Sequence, residues 1–238
     1  MKKIILFSFL AFAFLVSCTQ KDLVDNATTV GISKITHYVT FDLTGGPTVA
    51  IAKGGAYVDP GYVALEGTKD VTTTVKVIGT VDGTSVGLYH LTYEATNSDG
   101  YKSSTARTVI IYDPAAPDID ITGKYTSAVR RVSPARSFTG LKVSIQKMAP
   151  GFFYVSDFLG GFYDQGSNYQ YGPGYAMTGY MQVNADNTLT LVSSYVTAWG
   201  DSLNKFSNGL YDPVTKGLTW DAFYTASNYN FKVTLVKQ

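Results

Sequence analysis

The sequence predicts an all-β chain of two β domains in series, a sandwich followed by an antiparallel up-and-down β-barrel or meander. Three observations lead there. Beyond the first residues, no stretch repeats its apolar side chains at helical spacing. Short runs rich in Val, Ile, Thr, Tyr and Phe recur instead, separated by Gly, Asp, Asn and Pro at intervals typical of all-β domains. A break, Asp113-Pro114-Ala115-Ala116-Pro117-Asp118, then divides the chain, because each proline holds itself and its predecessor in extended backbone. That fixes a stiff linker at 114–118.

The N-terminus comes first. Lys2 and Lys3 supply positive charge, and Ile4 to Val16 is an apolar run broken by Ser8. As a helix it is too short to cross a bilayer core of roughly 30 Å. Leu15-Val16-Ser17-Cys18 follows. This segment resembles the bacterial lipobox, which implies a signal peptide over 1–17 and a diacylated Cys18 as the new N-terminus. Cys18 is the chain's one cysteine, so it has no disulfide partner and no companions for a cysteine metal site. Several acyl chains on one residue hold a protein stably, where a single chain holds it weakly. Gln20-Lys21-Asp22 is similar to the short charged signal that sends Bacteroidetes lipoproteins to the outer face of the outer membrane. It reads equally as part of a polar tether over 18–34.

Residues 35–113 read as the sandwich. Ile35 to Leu43 alternates, Thr48 to Ala52 is a second run, and Asp59-Pro60-Gly61 is a turn. Val75 to Ile78 precedes Asp82-Gly83. Leu88 to Ala95 and Thr108 to Tyr112 flank Asp99-Gly100 as a hairpin. Sandwiches often carry a Tyr near the start of a late strand, its hydroxyl bonded back to the preceding corner, and Tyr89 fits that place. The larger pattern runs from Gly55-Ala56-Tyr57-Val58-Asp59-Pro60-Gly61 through Gly87, Tyr89, Leu91, Tyr93, Ala95 and Asn97 to Arg107-Thr108-Val109. It resembles the immunoglobulin-like modules of bacterial surface proteins, which usually serve as spacers or small binding platforms.

Residues 119–238 contain eight candidate strands in order: 123–132, 141–148, 152–157, 177–183, 188–195, 206–211, 217–223 and 230–236. Asn184-Ala185-Asp186-Asn187 and the turn from Asp212 to Gly217 are hairpin connections by residue type, which makes their flanking strands antiparallel neighbours. Eight such strands fit an up-and-down barrel. The opening Gly123-Lys124-Tyr125 is weakly similar to the Gly-x-Trp start of lipocalin-like barrels. The pairing of modules resembles Bacteroidetes lipoproteins with an immunoglobulin-like first domain and a C-terminal β domain. Genes of that kind often lie near polysaccharide-uptake (Sus-like) genes, so the resemblance implies glycan work with other surface uptake proteins as partners.

Charge and motifs narrow the chemistry. Nineteen basic residues face eighteen acidic ones, a balance that argues against a nucleic-acid partner. The two histidines, His37 and His90, lie in strand-like runs, and no nucleophile elbow, phosphate loop or dinucleotide fingerprint occurs. No cofactor and no metal are expected, and no catalytic motif is found. A hydrolase remains conceivable through a carboxylate pair drawn from Asp157, Asp164, Asp201 and Asp221, which would lie about 5 to 10 Å apart. Asp186 and Asp212 sit in turns, where Asp bonds its own backbone.

Aromatic residues are dense after Phe152, and within strands most read as core or cross-strand pairs. The glycine-rich stretch from Gly160 to Tyr175 is too long for a plain hairpin and interleaves Tyr163, Tyr169, Tyr171 and Tyr175 with Asp164, Gln165, Asn168 and Gln170. Ala198-Trp199-Gly200-Asp201 is a second such loop. Flat rings stack on the C–H faces of sugars, while amides and carboxylates bond hydroxyls. Tyr163, Asp164, Tyr169, Tyr171, Tyr175, Trp199 and Asp201 are therefore the candidate ligand-binding residues, with a polysaccharide or oligosaccharide as ligand. The same mixture suits protein contacts, which would make the chain an adhesion lipoprotein. Arg130, Arg131 and Arg136 flank Ser133-Pro134. They read as a solvated strand end or as a seat for an acidic glycan.

Overall fold

The computed structural model describes residues 29–30, 33–224 and 229–238, with side chains from residue 35 onward. Cys18, the signal segment and most of the tether lie outside the described residues. The chain divides into two compact units, Met1–Tyr38 and Val39–Gln238. In the first, β1 (Thr29–Val30) pairs antiparallel with β2 (Ser33–Lys34). The second holds both β domains.

The sandwich sets one sheet of β3 (Val39–Leu43), β5 (Tyr62–Glu66) and β6 (Lys69–Asp70) against another. The other sheet runs in the order β4 (Thr48–Ala52), β9 (Lys102–Tyr112), β8 (Gly87–Thr96) and β7 (Lys76–Ile78). Strands β8 and β9 form the hairpin expected around Asp99-Gly100, and β4 joins β9 in parallel. Alternation along β8 and β9 turns Leu91, Tyr93, Val109 and Ile111 into the core. Tyr89 makes the expected back-bond, its hydroxyl donating to the Ser85 carbonyl at 3.0 Å. Sequence reading passes over β5 and β6: Tyr62 to Leu65 is uniformly apolar or aromatic, without the alternation that marks a strand, and β6 is only two residues long.

A buried charge ties this domain's turns together. Arg107 is fully buried and donates to Asp59 at 2.6 Å and to the carbonyls of Thr44 and Gly61 at 2.7 and 3.0 Å. The Tyr93 hydroxyl donates to the other Asp59 oxygen. Burial pushes the Asp59 carboxyl up, but the bonds from Tyr93 and the Gly61 N–H, with the Arg107 charge, outweigh it and hold the group below the usual carboxylate range.

The second domain is an eight-stranded, nearly closed barrel. Its strands are β10 (Gly123–Arg131), β11 (Arg136–Ala149), β12 (Phe152–Val155), β13 (Met177–Val183), β14 (Leu189–Val196), β15 (Leu203–Tyr211), β16 (Leu218–Tyr224) and β17 (Tyr229–Lys237). They follow one another antiparallel, and β17 returns to pair with β10 from Tyr125↔Lys237 to Arg131↔Phe231. The seam between β14 and β15 is held by the Thr188↔Leu210 bridge, by Tyr211 N–H to Asn187 at 2.9 Å and by Leu203 N–H to Ser194 Oγ at 2.9 Å. Alternation points Tyr125, Val129, Phe231, Val233, Trp220 and Ala222 inward, so side chains fill the barrel.

The linker is packed rather than free. A Cβ on Gly151 would lie 2.3 Å from the Ala116 Cβ, so the β11–β12 turn admits the linker only because residue 151 is glycine. Beside it Ile110 of β9 is buried with Ala149 and Phe152 of the barrel, flanked by Leu88, Tyr112, Tyr180 and Val192. Burying a side chain of this size contributes roughly 1.5–3 kcal/mol, and the two β domains share this apolar cluster within one unit.

Candidate functional site

Between β12 and β13 the chain leaves the barrel wall for twenty-odd residues and turns inward. Asp157 starts the excursion. Its carboxylate is 1 % exposed and accepts three backbone N–H bonds: Leu159 at 2.7 Å, Gly161 at 2.9 Å and Met177 at 3.1 Å. One side chain thus clasps both ends of the loop. Burial pushes this carboxyl up to about 7, against the three N–H donors that hold it down. Phe158, Leu159 and Phe162 then enter the barrel as a plug, with Phe158 edge-on to Trp220 at 5.7 Å and its carbonyl accepting the Trp220 indole N–H at 2.8 Å. Gly160 permits this path: its φ is +67°, and a Cβ there would meet Ser127 Oγ at 2.7 Å.

The outer half of the loop folds onto the plug. Tyr171 N–H returns to the Tyr163 carbonyl at 3.1 Å, and Gln165 bridges to the N–H and carbonyl of Lys142 on β11, both at 2.8 Å. Ala198 N–H donates to Gly174 at 2.9 Å, which joins the Trp199 loop to the tyrosine loop.

The result is one aromatic cap. Tyr163 lies 6 % exposed as its floor, edge-on to Trp199 at 4.9 Å and to Tyr169 at 5.0 Å, and parallel to Tyr171 at 6.4 Å. Tyr175 meets Tyr171 and Trp199 at 5.0 Å each, and Trp199 stacks on Tyr224 at 5.8 Å. Tyr171 is 50 % and Trp199 39 % exposed, while Tyr169 and Tyr175 are half-buried. All five candidate aromatics therefore come together. Their roles divide by depth, with Tyr163 supporting and Tyr171 and Trp199 facing solvent. Asp201 accepts the Tyr224 hydroxyl at 3.1 Å, and Asp164 accepts Gln165 Nε2 at 3.1 Å.

The same two-domain division emerges from comparison with known proteins. Residues 41–111 match the model of the bacterial surface protein Ig-like domain, and residues 115–237 match a family model described as a C-terminal domain. The crystal structure of the lipoprotein BT2262 from Bacteroides thetaiotaomicron is 40% identical, covering 84% of this chain and 100% of that chain, with a TM-score of 0.47. The chain belongs to this family of two-domain bacterial surface lipoproteins. No curated protein matches it.

Other side chains of this lipoprotein's barrel end were less legible. Arg131 is not a solvated strand end: it is 6 % exposed, its guanidinium 4.6 Å from the Tyr229 ring and 5.2 Å from Phe162, with Nε donating to the Pro134 carbonyl at 2.9 Å. Alternation along β10 places residue 131 on the same inward face as Tyr125, Ser127 and Val129, and that signal could have found it. Arg136 covers Tyr169 at 5.3 Å. Tyr224, the last residue of β16 and one beyond the strand expected over 217–223, is the platform beneath Trp199. Of the four aspartates, Asp157 is the loop clasp, Asp221 bonds Lys232 at 3.0 Å and Asn208 at 2.8 Å, and Asp164 and Asp201 join the cap. Among the described residues no three His, Cys, Asp or Glu side chains gather as a metal site.

Proposed function

We propose that the protein is an outer-membrane lipoprotein, held by lipid on Cys18 with its β domains facing the cell exterior, that binds a polysaccharide or oligosaccharide at the barrel end as an accessory of uptake. The observation that carries this reading is the aromatic cap, in which Tyr171 and Trp199 are exposed on a support of Tyr163, Tyr175 and Tyr224. Rings held in fixed orientation cost little entropy on binding and offer flat apolar faces beside the carboxylates of Asp164 and Asp201. Family membership supports the surface location, and other surface uptake proteins are its natural partners.

The test is a binding panel of diverse polysaccharides against the mature chain carrying Cys18→Ala. At least one polysaccharide binds, and changing Trp199, Tyr169 and Tyr171 together to Ala weakens it by about tenfold or more, the loss of roughly 1.4 kcal/mol of ring contact. Binding that survives the triple change removes the cap as the site. No binding at millimolar glycan removes the glycan reading and leaves the exposed aromatics as a protein-contact surface.

A further inference from the structure

The barrel wall beside the aromatic cap is basic. Strands β11, β10 and β17 are neighbours in that order, and they hold eight Lys and Arg residues with no Asp or Glu among them. The other five strands of the barrel hold one cation, Lys205, and one acid, Asp221. A chain of nearly balanced charge thus gathers eight of its nineteen basic residues onto three adjacent strands. Alternation turns Lys124, Arg130, Lys142 and Lys232 outward, and all four are exposed. Lys232 is bridged to Asp221 at 3.0 Å, whereas Lys124, Arg130 and Lys142 enter no ion pair among the described residues. Arg130 also stands directly across from Lys232, and like charges so placed are unfavourable unless an anion lies over them.

This wall is hollowed rather than flat. One open hollow of 280 Å³ is bordered by Arg130 and Lys232, with the exposed hydroxyl residues Ser137, Thr139 and Thr234. A second of 330 Å³ is bordered by Lys124 and Lys142, with Ser144 and Ser156. Between Thr139 of the first and Lys142 of the second, Gly140 is the bulged residue of β11, with φ +77° and open space where a side chain would stand. Lys124 and Arg130 lie six residues apart on β10, about 20 Å at the rise of a strand. The first hollow adjoins the cap, because Arg136, next to Ser137, covers Tyr169 at 5.3 Å. Gln165 of the tyrosine loop is likewise bonded to the Lys142 main chain at 2.8 Å.

We infer that the glycan of the cap is a linear acidic polysaccharide, carrying uronate carboxylates or sulfates, whose chain continues from the aromatic rings along this wall. The inference rests on the cap reading and names its substrate class. A small anion fills one hollow, whereas the same pairing of two cations with hydroxyls, repeated along one wall, matches a polymer of repeating charge. The Arg130 guanidinium fork suits a carboxylate or a sulfate, and the serine and threonine hydroxyls suit the polymer's own. A lipid surface of acidic headgroups would call for large apolar groups among the cations, and on these three strands Val236 is the one large apolar side chain that is exposed.

The test measures binding of polygalacturonate, chondroitin sulfate, neutral galactan and phosphatidylglycerol vesicles to the mature chain carrying Cys18→Ala, with tryptophan emission followed in parallel. At least one of the two acidic polymers binds more tightly than galactan, and the vesicles do not bind. Raising the salt from about 0.05 M to about 0.5 M weakens the acidic polymer by about tenfold or more, as screening of exposed charges requires. Lys124→Gln, Arg130→Gln and Lys142→Gln together do the same at low salt, at three exposed positions whose side chains enter no ion pair. The charge-keeping set Lys124→Arg, Arg130→Lys and Lys142→Arg retains binding, which separates loss of charge from loss of fold. Galactan binding as tightly as both acidic polymers, acidic binding undiminished by the three Gln changes, or vesicles binding in place of both polymers overturns the inference. Charge-dependent binding that leaves Trp199 emission unchanged keeps the wall and removes the cap instead, and absence of binding by every polymer removes both.

Discussion

At the scale of single residues, Asp157 carries the most physics per atom. Its carboxyl is pushed up to about 7 in the fold, while an unfolded chain releases that proton near pH 4. The folded state therefore holds a proton across a window in which the unfolded state has lost it. The group's contribution to stability is full below about pH 4, falls as pH rises through the window and levels off above about pH 7, a span of about 4 kcal/mol at 1.36 kcal/mol per unit. Urea midpoints measured at pH 4, 5.5 and 7 should decline in that order. Asp157→Asn, neutral at every pH, should flatten the decline while losing about 1–3 kcal/mol overall, because its Nδ2 faces the Gly161 N–H. An Asn variant with the same slope would show that another group titrates. From the sequence Asp157 was one loose carboxylate among four. The three N–H groups that define it come from Leu159, Gly161 and Met177, and the last is twenty residues away.

Among elements, the strands and the long loop differ in how much the sequence reveals. Thr48–Ala52 and Met177–Val183 are bounded as expected, because turn residues and alternation both mark their ends. The 156–176 loop was legible as something other than a hairpin through its glycines and tyrosines. Its inward course was not, since Phe158 and Phe162 follow no period and their partners Trp220 and Phe231 lie on β16 and β17. Tyr163 shows the consequence, for a candidate contact residue proves to be the floor on which the others rest. Arg131 locks this arrangement from the β10 side. Arg131→Met keeps most of the packed volume and removes the cation over Phe162 and Tyr229 and the bond to Pro134. Chemical denaturation should show a loss of about 1–3 kcal/mol. A change within 0.5 kcal/mol, roughly that of an ordinary surface position, would show that the plug holds without it.

On the scale of the whole molecule, the proline-rich linker was legible as a boundary and the contact across it was not. Ile110 and Phe152 are both apolar strand residues, and nothing in sequence distinguishes a strand that faces its own core from one that faces a second domain. Phe152→Ala should cost about 3–5 kcal/mol and, by weakening the shared cluster, split a single calorimetric transition into two. A single transition that shifts as one would show that the domains are coupled elsewhere. The picture that results is a surface lipoprotein whose immunoglobulin-like domain is docked on its barrel, with the aromatic cap at the barrel end. Only two tryptophans are present, Trp199 at 39 % and Trp220 at 1 % exposure, so fluorescence can address the cap itself. The decisive measurement is tryptophan emission during titration with a polysaccharide that binds the mature chain. The account predicts a saturable change in emission and protection from acrylamide quenching, both absent in the Trp199→Phe protein. Saturable glycan binding with no change in Trp199 emission or quenching would contradict it.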